Sequence, residues 1–308
     1  MATLVDIHSH LFSRVFFETL SADSPFRKAS SLSIDESIAR TCRDVSIDEP
    51  SQRLTEHVAR WLAELDEHGV NHLVTFASVP EEAEVVQEAV RLADGRMTGF
   101  AVVNPATDDS PARLAKLFDE MGMRGILLFP ALHGYRVDDP SLAKFFEALE
   151  ERGGIAVVHC GLLSIPLRDR FGLRRPQDIT LANPLFLMPV ANRHRRATFL
   201  IPHMGAGMFR ETLMLGSQCE NVMVDTSSSN GWVKTQATGL SLADALERVL
   251  AVFGPERVIF GTDSSVFPRG WRRDILLAQR EAMGSIGTPA EHQELIFGGN
   301  AMRLLLCS

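Results

Sequence analysis

Cysteine pairing is the first thing this chain lacks. Its four cysteines, Cys42, Cys160, Cys219 and Cys307, are scattered without a CxxC pair. They give neither a disulfide framework nor a zinc finger, and a reducing cytoplasm is the expected setting. Long apolar runs are missing too, since nothing approaches the roughly 18 consecutive apolar residues of a membrane helix. The first apolar stretch has no positive charge ahead of it and is interrupted by Asp6, His8 and His10, so no secretory signal is expected. No GxGxxG or GxxxxGK[ST] follows an apolar run, which leaves a dinucleotide site or a P-loop without a motif. Positive charge is also scarce. With 31 Lys and Arg against 39 Asp and Glu, the formal net charge is −8. That balance argues against nucleic acid or an anionic membrane as partner and leaves a small-molecule substrate, including one held by a local arginine cluster.

What is present starts at "DIHSH", Asp6 to His10, inside the apolar stretch "TLVDIHSHLF". On an extended segment residues i and i+2 face the same way, about 6.5 Å apart. His8 and His10 so placed can converge on one metal ion. Two hydrogen-bonded histidines at a buried strand end fit the same spacing, so the rest of the chain has to decide.

After Asn71 apolar strands and amphipathic helices alternate. Strands are expected at 3–8, 72–79, 97–105, 124–130, 154–160, 197–203, 221–227 and 257–263. Helices are expected at 81–95, 110–122, 141–153, 178–194, 206–218, 241–254 and 271–284. Near-continuous apolar strands separated by helices indicate a parallel sheet covered on its outside. Eight such units in 308 residues predict an α/β fold, a single (β/α)8 TIM barrel spanning the chain. Two segments break the rhythm, 11–51 and 161–177, each leaving the C-terminal end of a strand. That is the face on which barrel sites are built, so both are expected to fold over it as lids or substrate-binding loops.

The strand ends carry the chemistry. The first ends in His8-x-His10, the fifth in "VVH" with His159, the sixth in "IPH" with His203 and the eighth in "FGTD" with Asp263. A parallel barrel brings these ends to one rim, and four histidines with a carboxylate suit zinc or a similar borderline ion.

This ordered set resembles the amidohydrolase superfamily. The segments "DIHSHLF" (6–12), "RGILLFPALHGYRVDDPSL" (124–142), "IAVVHCG" (155–161), "FLIPHMGAG" (199–207), "VIFGTDSS" (258–265) and "IFGGNAMRLL" (296–305) are similar to its amidohydrolase-related branch. That branch includes the aminocarboxymuconate semialdehyde decarboxylase-like enzymes. The resemblance implies His8, His10, His159 and Asp263 as metal ligands, with His203 beside them contacting water or substrate. Asp225, ending "VMVD", is either a residue that orients a ligand from behind or an ordinary hydrogen-bonded loop aspartate. Binuclear members of the superfamily bridge two metals with a carbamylated lysine at the end of strand four. Here that strand reads "RGILLFP", and Lys28, Lys116, Lys144 and Lys234 all lie elsewhere, so one divalent ion is expected, zinc first and manganese second.

A single ion with an open position polarises a substrate oxygen and acidifies water. The expected reaction is hydrolysis of an amide, lactone or ester, with Asp263 accepting the water's proton and His203 orienting or polarising the substrate. The resemblance supplies a competitor, non-oxidative decarboxylation of an unsaturated or aromatic acid, with a hydratase as a weaker third. A barrel serving only as a binding protein would be signalled by a missing ligand, and none is missing. Arg14, Arg168, Arg170, Arg174 and Arg269 lie in rim loops and are candidates to clamp a substrate carboxylate. Phe12, Phe16, Phe17, Trp232 and Trp271 either wall a ring-shaped substrate or pack the insertions on the barrel. A homodimer is expected by analogy alone.

Overall fold

The structure, a computed structural model, describes residues 3–107, 109–227, 231–237 and 239–306. Cys307 lies outside them. Eight strands follow in chain order: β1 (Val5–His10), β2 (His72–Ala77), β3 (Met97–Val102), β4 (Gly125–Leu128), β5 (Ile155–Val158), β6 (Thr198–Ile201), β7 (Val222–Asp225) and β8 (Val258–Ile259). Each pairs in parallel with the next, giving the order β1 to β8 without a crossover. Backbone bonds then close the ring. Ile7 N–H donates to Phe260 O at 3.1 Å, Asp263 N–H to His8 O at 2.8 Å and His10 N–H to Ser264 O at 2.8 Å. The fold is therefore the expected (β/α)8 barrel.

Alternation along the strands divides the apolar side chains into two layers. Val5, Ile7, Val74, Phe76, Phe100, Leu127, Val157, Leu200 and Ile259 fill the barrel interior. The complementary residues face outward, where the helices cover them. Ala301 and Leu305 of the helix Asn300–Leu306 join the interior cluster, so "GGNAMRLL" has a packing role.

Most strands end a residue or more before the apolar run does, because the last residues turn out of the ladder to build the rim. The expected strand 197–203, for example, is paired only over Thr198–Ile201, which frees Pro202 and His203. The helix Leu54–His68 was not expected. It buries Val58, Trp61 and Leu65 on one stripe, but its N-cap is Arg53, which makes no side-chain cap bond, so the sequence carries no start signal there.

Both insertions fold over the C-terminal mouth. The first holds the helices Arg14–Asp23, Pro25–Ser30 and Ile34–Asp44, and the second a short helix Pro166–Arg170. Phe16, Phe17, Leu20, Ile38 and Cys42 of the first pack with Leu167 and Phe171 of the second in a separate cluster. The two insertions are thus one apolar unit set on the barrel rim.

Candidate metal centre

The barrel brings His8, His10, His159, His203 and Asp263 to one cavity of about 370 Å³ at its C-terminal mouth. His10 Nε2 lies 3.2 Å from Asp263 Oδ1, and His8 Nε2 lies 3.8 Å from the same oxygen. The ligand-type atoms of His8, His10 and Asp263 all fall within 4.8 Å of one another, the spacing of groups that can share an ion. His159 is outside that close group. It stands beside it, its ring 5.3 Å from His203 and 5.4 Å from Phe129, and its Nδ1 is buried without a hydrogen-bond partner. Three imidazoles and a carboxylate around one space, one imidazole nitrogen lacking any protein partner, are a donor set that fits a divalent cation.

Behind these atoms runs a hydrogen-bonded layer. His8 Nδ1 meets Asp225 Oδ2 at 2.8 Å, and His10 Nδ1 meets Ser78 Oγ at 2.7 Å. With each Nδ1 so engaged from behind, each Nε2 faces the cavity. Asp225 also accepts the backbone N–H groups of His203 and Ser227, both at 3.0 Å, and the Ser227 hydroxyl. The position of Asp225 is thus that of a group orienting His8 and His203 from behind. His203 Nδ1 faces Ser227 O at 3.0 Å and Ser227 Oγ at 2.8 Å. Gly261 lets β8 come this close, since a Cβ there would lie 2.9 Å from His8 Cβ. His203 and Asp263 hold left-handed backbone angles, φ 56° and 60°, an unfavourable state for non-glycine residues that clusters at functional sites.

Charge is distributed unevenly over this set. Burial works against a charged His8, but Asp225 and then Asp263 hold its pKa above the ordinary histidine value. Burial lowers His10 despite its bond to Asp263, and lowers His203 and His159, with His8 adding to the effect on both and His203 adding to it on His159. Asp263 is buried, which alone would raise it, yet the bond to His10 and the charges of His203 and His8 hold it far below the usual carboxylate range. Neutral imidazoles at His10, His159 and His203 beside an ionised Asp263 suit a cation, and His8, drawn toward its charged form by Asp225, would release its proton on binding one.

The arginines separate. Arg168 and Arg269 line the cavity. Arg168 makes no side-chain hydrogen bond and its Nε is buried without a partner, while Arg269 reaches Ser265 Oγ at 3.1 Å. Arg14, expected at the substrate, is not among the lining residues. Its helix turns it onto Glu18 one turn ahead, at 3.0 Å, and onto Asp35. Trp271, also expected there, is 2% exposed and lies beneath the rim, its Nε1–H donating to Asp6 Oδ2 at 2.8 Å. Asp6, which also accepts the N–H groups of His8 and Thr262, ties the end of β1 to the β8 loop. Phe12 and Phe16 do line the cavity, stacked with ring centroids 4.0 Å apart. Phe17 and Trp232 are core, the latter stacked on Phe209. Arg170 lines a separate, smaller pocket and Arg174 is exposed.

Ser78, Ser227 and Asp6 were not anticipated as partners of the histidines. Ser78 and Ser227 carry no motif, and each is recognisable only once the barrel has brought distant strand ends together.

Comparison with known proteins agrees with the fold. Among solved structures, a 5-carboxyvanillate decarboxylase from Novosphingobium aromaticivorans with bound manganese is 14% identical, with 99% of this chain and 97% of that one covered and a TM-score of 0.63. A probable 2-pyrone-4,6-dicarboxylic acid hydrolase from Acinetobacter baumannii is 17% identical, with 99% of each chain covered and a TM-score of 0.60. An amidohydrolase from Burkholderia multivorans with bound zinc is 15% identical, again with 99% of each covered and a TM-score of 0.64. No curated protein matches. The family model for amidohydrolases matches residues 5–306, nearly the whole length over which the strand-end histidines and Asp263 are spread, and the chain belongs to that family.

Proposed function

We propose that the protein is a mononuclear metal-dependent hydrolase acting on an amide, lactone or ester bond of a small carboxylated or ring-containing molecule. The observation that carries this reading is the convergence of His8 Nε2, His10 Nε2 and Asp263 Oδ1 on the cavity, with the Nδ1 atoms of both histidines held from behind. His8, His10, Asp263 and, just past the end of β5, His159 would hold one ion. Zinc or manganese suits the donor set, and two of the similar structures named above contain one or the other. When bound, such an ion supplies a polarised substrate oxygen and water of lowered pKa. Asp263 accepts the proton of the attacking water, and His203, its Nδ1 fixed on Ser227, presents Nε2 to the substrate or leaving group. Arg168 and Arg269 bind a substrate carboxylate, and Phe12, Phe16 and Leu163 enclose its apolar body. Among the described residues no lysine lines the cavity, in keeping with a single ion. No helix among the described residues is long and apolar enough to cross a membrane, and Cys42, Cys160 and Cys219 are buried free thiols, as a reducing cytoplasm allows.

The second reading is decarboxylation of an unsaturated or aromatic acid, favoured by the similarity to a 5-carboxyvanillate decarboxylase. The zinc- or manganese-loaded protein, assayed against carboxylated lactones and against aromatic acids, separates the two. Products heavier by one water are expected, and release of carbon dioxide without water addition would overturn the ordering.

A further inference from the structure

Glu82 is a fully buried carboxylate far from any basic side chain's hydrogen-bonding reach among the described residues. It closes the short turn Pro80–Glu82 that follows β2. Its two oxygens are divided between two segments. Oε1 accepts the backbone N–H of Ser13 at 2.7 Å and the Ser13 hydroxyl at 2.8 Å. Oε2 accepts the backbone N–H of Ser78 at 2.8 Å. Ser13 is the N-cap residue of the helix Arg14–Asp23 that opens the first insertion, and its hydroxyl makes no cap bond because it is turned to Glu82. Ser78 is the residue whose Oγ meets His10 Nδ1 at 2.7 Å.

A carboxyl group in a dry interior is retained only where donors satisfy it. A serine hydroxyl by itself also rotates freely, so the direction in which Ser78 Oγ faces His10 depends on how firmly the Ser78 backbone is held. We propose that Glu82 is a positioning residue: through Ser78 it fixes the ring orientation and tautomer of His10, and through Ser13 it locks the base of the first insertion to the same point. The contact path runs Ser13, Glu82, Ser78, His10, Asp263, and joins the lid to the metal-facing edge without passing through the cavity. This rests on the reading of His10 as a metal-facing group.

The test uses the full-length protein with Zn2+ as probe, in competition with a chromophoric chelator, beside the NMR signals of the His10 ring nitrogens, which report its tautomer, in the metal-free protein. Glu82→Gln puts an amide donor where one of two oxygens now faces donors, so it breaks at least one arm. It should lower Zn2+ affinity about 10–100-fold, the scale for residues that orient a ligand from behind, and shift or broaden the His10 ring-nitrogen signals. Ser78→Ala should do the same, and Glu82→Gln/Ser78→Ala should be no worse than Ser78→Ala alone, since both act along one path. Ser13→Ala touches only the insertion arm and should leave Zn2+ affinity unchanged. Wild-type affinity and an unmoved His10 signal in Glu82→Gln would overturn the proposal, and so would additive losses in the double variant. Should Glu82→Gln not fold, the wild type decides: slow exchange of the Ser78 amide and a single His10 tautomer are expected, and a mixture of His10 tautomers would refute the path. A wild type that takes up no Zn2+ would refute the proposed function, while the His10 signal would still decide this proposal.

Discussion

On the strand-end side of the cavity the polar atoms come with partners. His8 Nδ1 has Asp225, His10 Nδ1 has Ser78 and His203 Nδ1 has Ser227. On the insertion side Arg168, which lines the cavity, has its Nε buried with none among the described residues. Buried polar groups are normally paired, so the contrast divides the labour. The partnered side is built in advance, with its histidines fixed before anything arrives. The insertion side keeps donors for a ligand that comes and goes. His159 Nδ1 is the exception on the strand-end side, which fits an atom whose partner is not protein.

Breaking the prearranged side should have the largest effect. Asp263→Asn keeps size and one coordinating oxygen but removes the proton acceptor, and after metal is restored kcat should fall roughly 10²-fold or more. His203→Asn should hold metal nearly as well as wild type and still lose activity. Turnover of remetallated Asp263→Asn at the wild-type rate would move the base elsewhere, with His203 next. One step smaller, Asp225→Asn replaces the oxygen that His8 Nδ1 meets, or the one that two backbone N–H groups meet, with a donor. Metal affinity by chelator competition should drop about 10–100-fold, and an unchanged affinity would mean that the layer behind the histidines is decorative.

The insertion side should respond in KM rather than kcat. Arg168→Met keeps much of the side chain's length and apolar stem but loses the charge. KM for a carboxylated substrate should rise about tenfold, the scale of one hydrogen bond to a charged group, with kcat little changed. An equal fall in kcat would show that Arg168 acts in the transition state, and the division between the two sides would fail.

The strands were legible because a barrel strand buried on both faces is an almost unbroken apolar run, and the metal-facing residues because each stands where such a run stops. "IPH" and "FGTD" need no tertiary knowledge to be noticed. Residue type alone misplaced Arg14 and Trp271. An arginine and a tryptophan in rim segments look alike whether they face a cavity or, as here, Glu18 and Asp6. Glu82 was read as part of an ordinary amphipathic helix, because only the register of β1 beside β2 reveals that Ser13 and Ser78 converge on it. Positions set by local pattern were readable, and those set by distant segments meeting were not.

The smallest expected effect sharpens the comparison through pH. His133 is held at a pKa of about 4 by burial first and by the Arg168 charge second. Its folded value thus lies below the ordinary 6.5, so between pH 6.5 and 4 the unfolded chain binds a proton that the folded protein does not. The stability linked to this residue is complete above pH 6.5 and falls away as the pH drops toward 4. His133→Asn cannot titrate, so the Tm difference between wild type and variant should shrink on acidification through that window and stay constant above it. A carboxylate bound at Arg168 should offset the arginine's charge and raise the His133 value, so a substrate analogue should bind with proton uptake near pH 5, read by calorimetry in buffers of different ionisation heat. Uptake that persists in His133→Asn would assign the proton to another group, and a parallel Tm profile for the two proteins would place His133 in water rather than beside the unpartnered arginine.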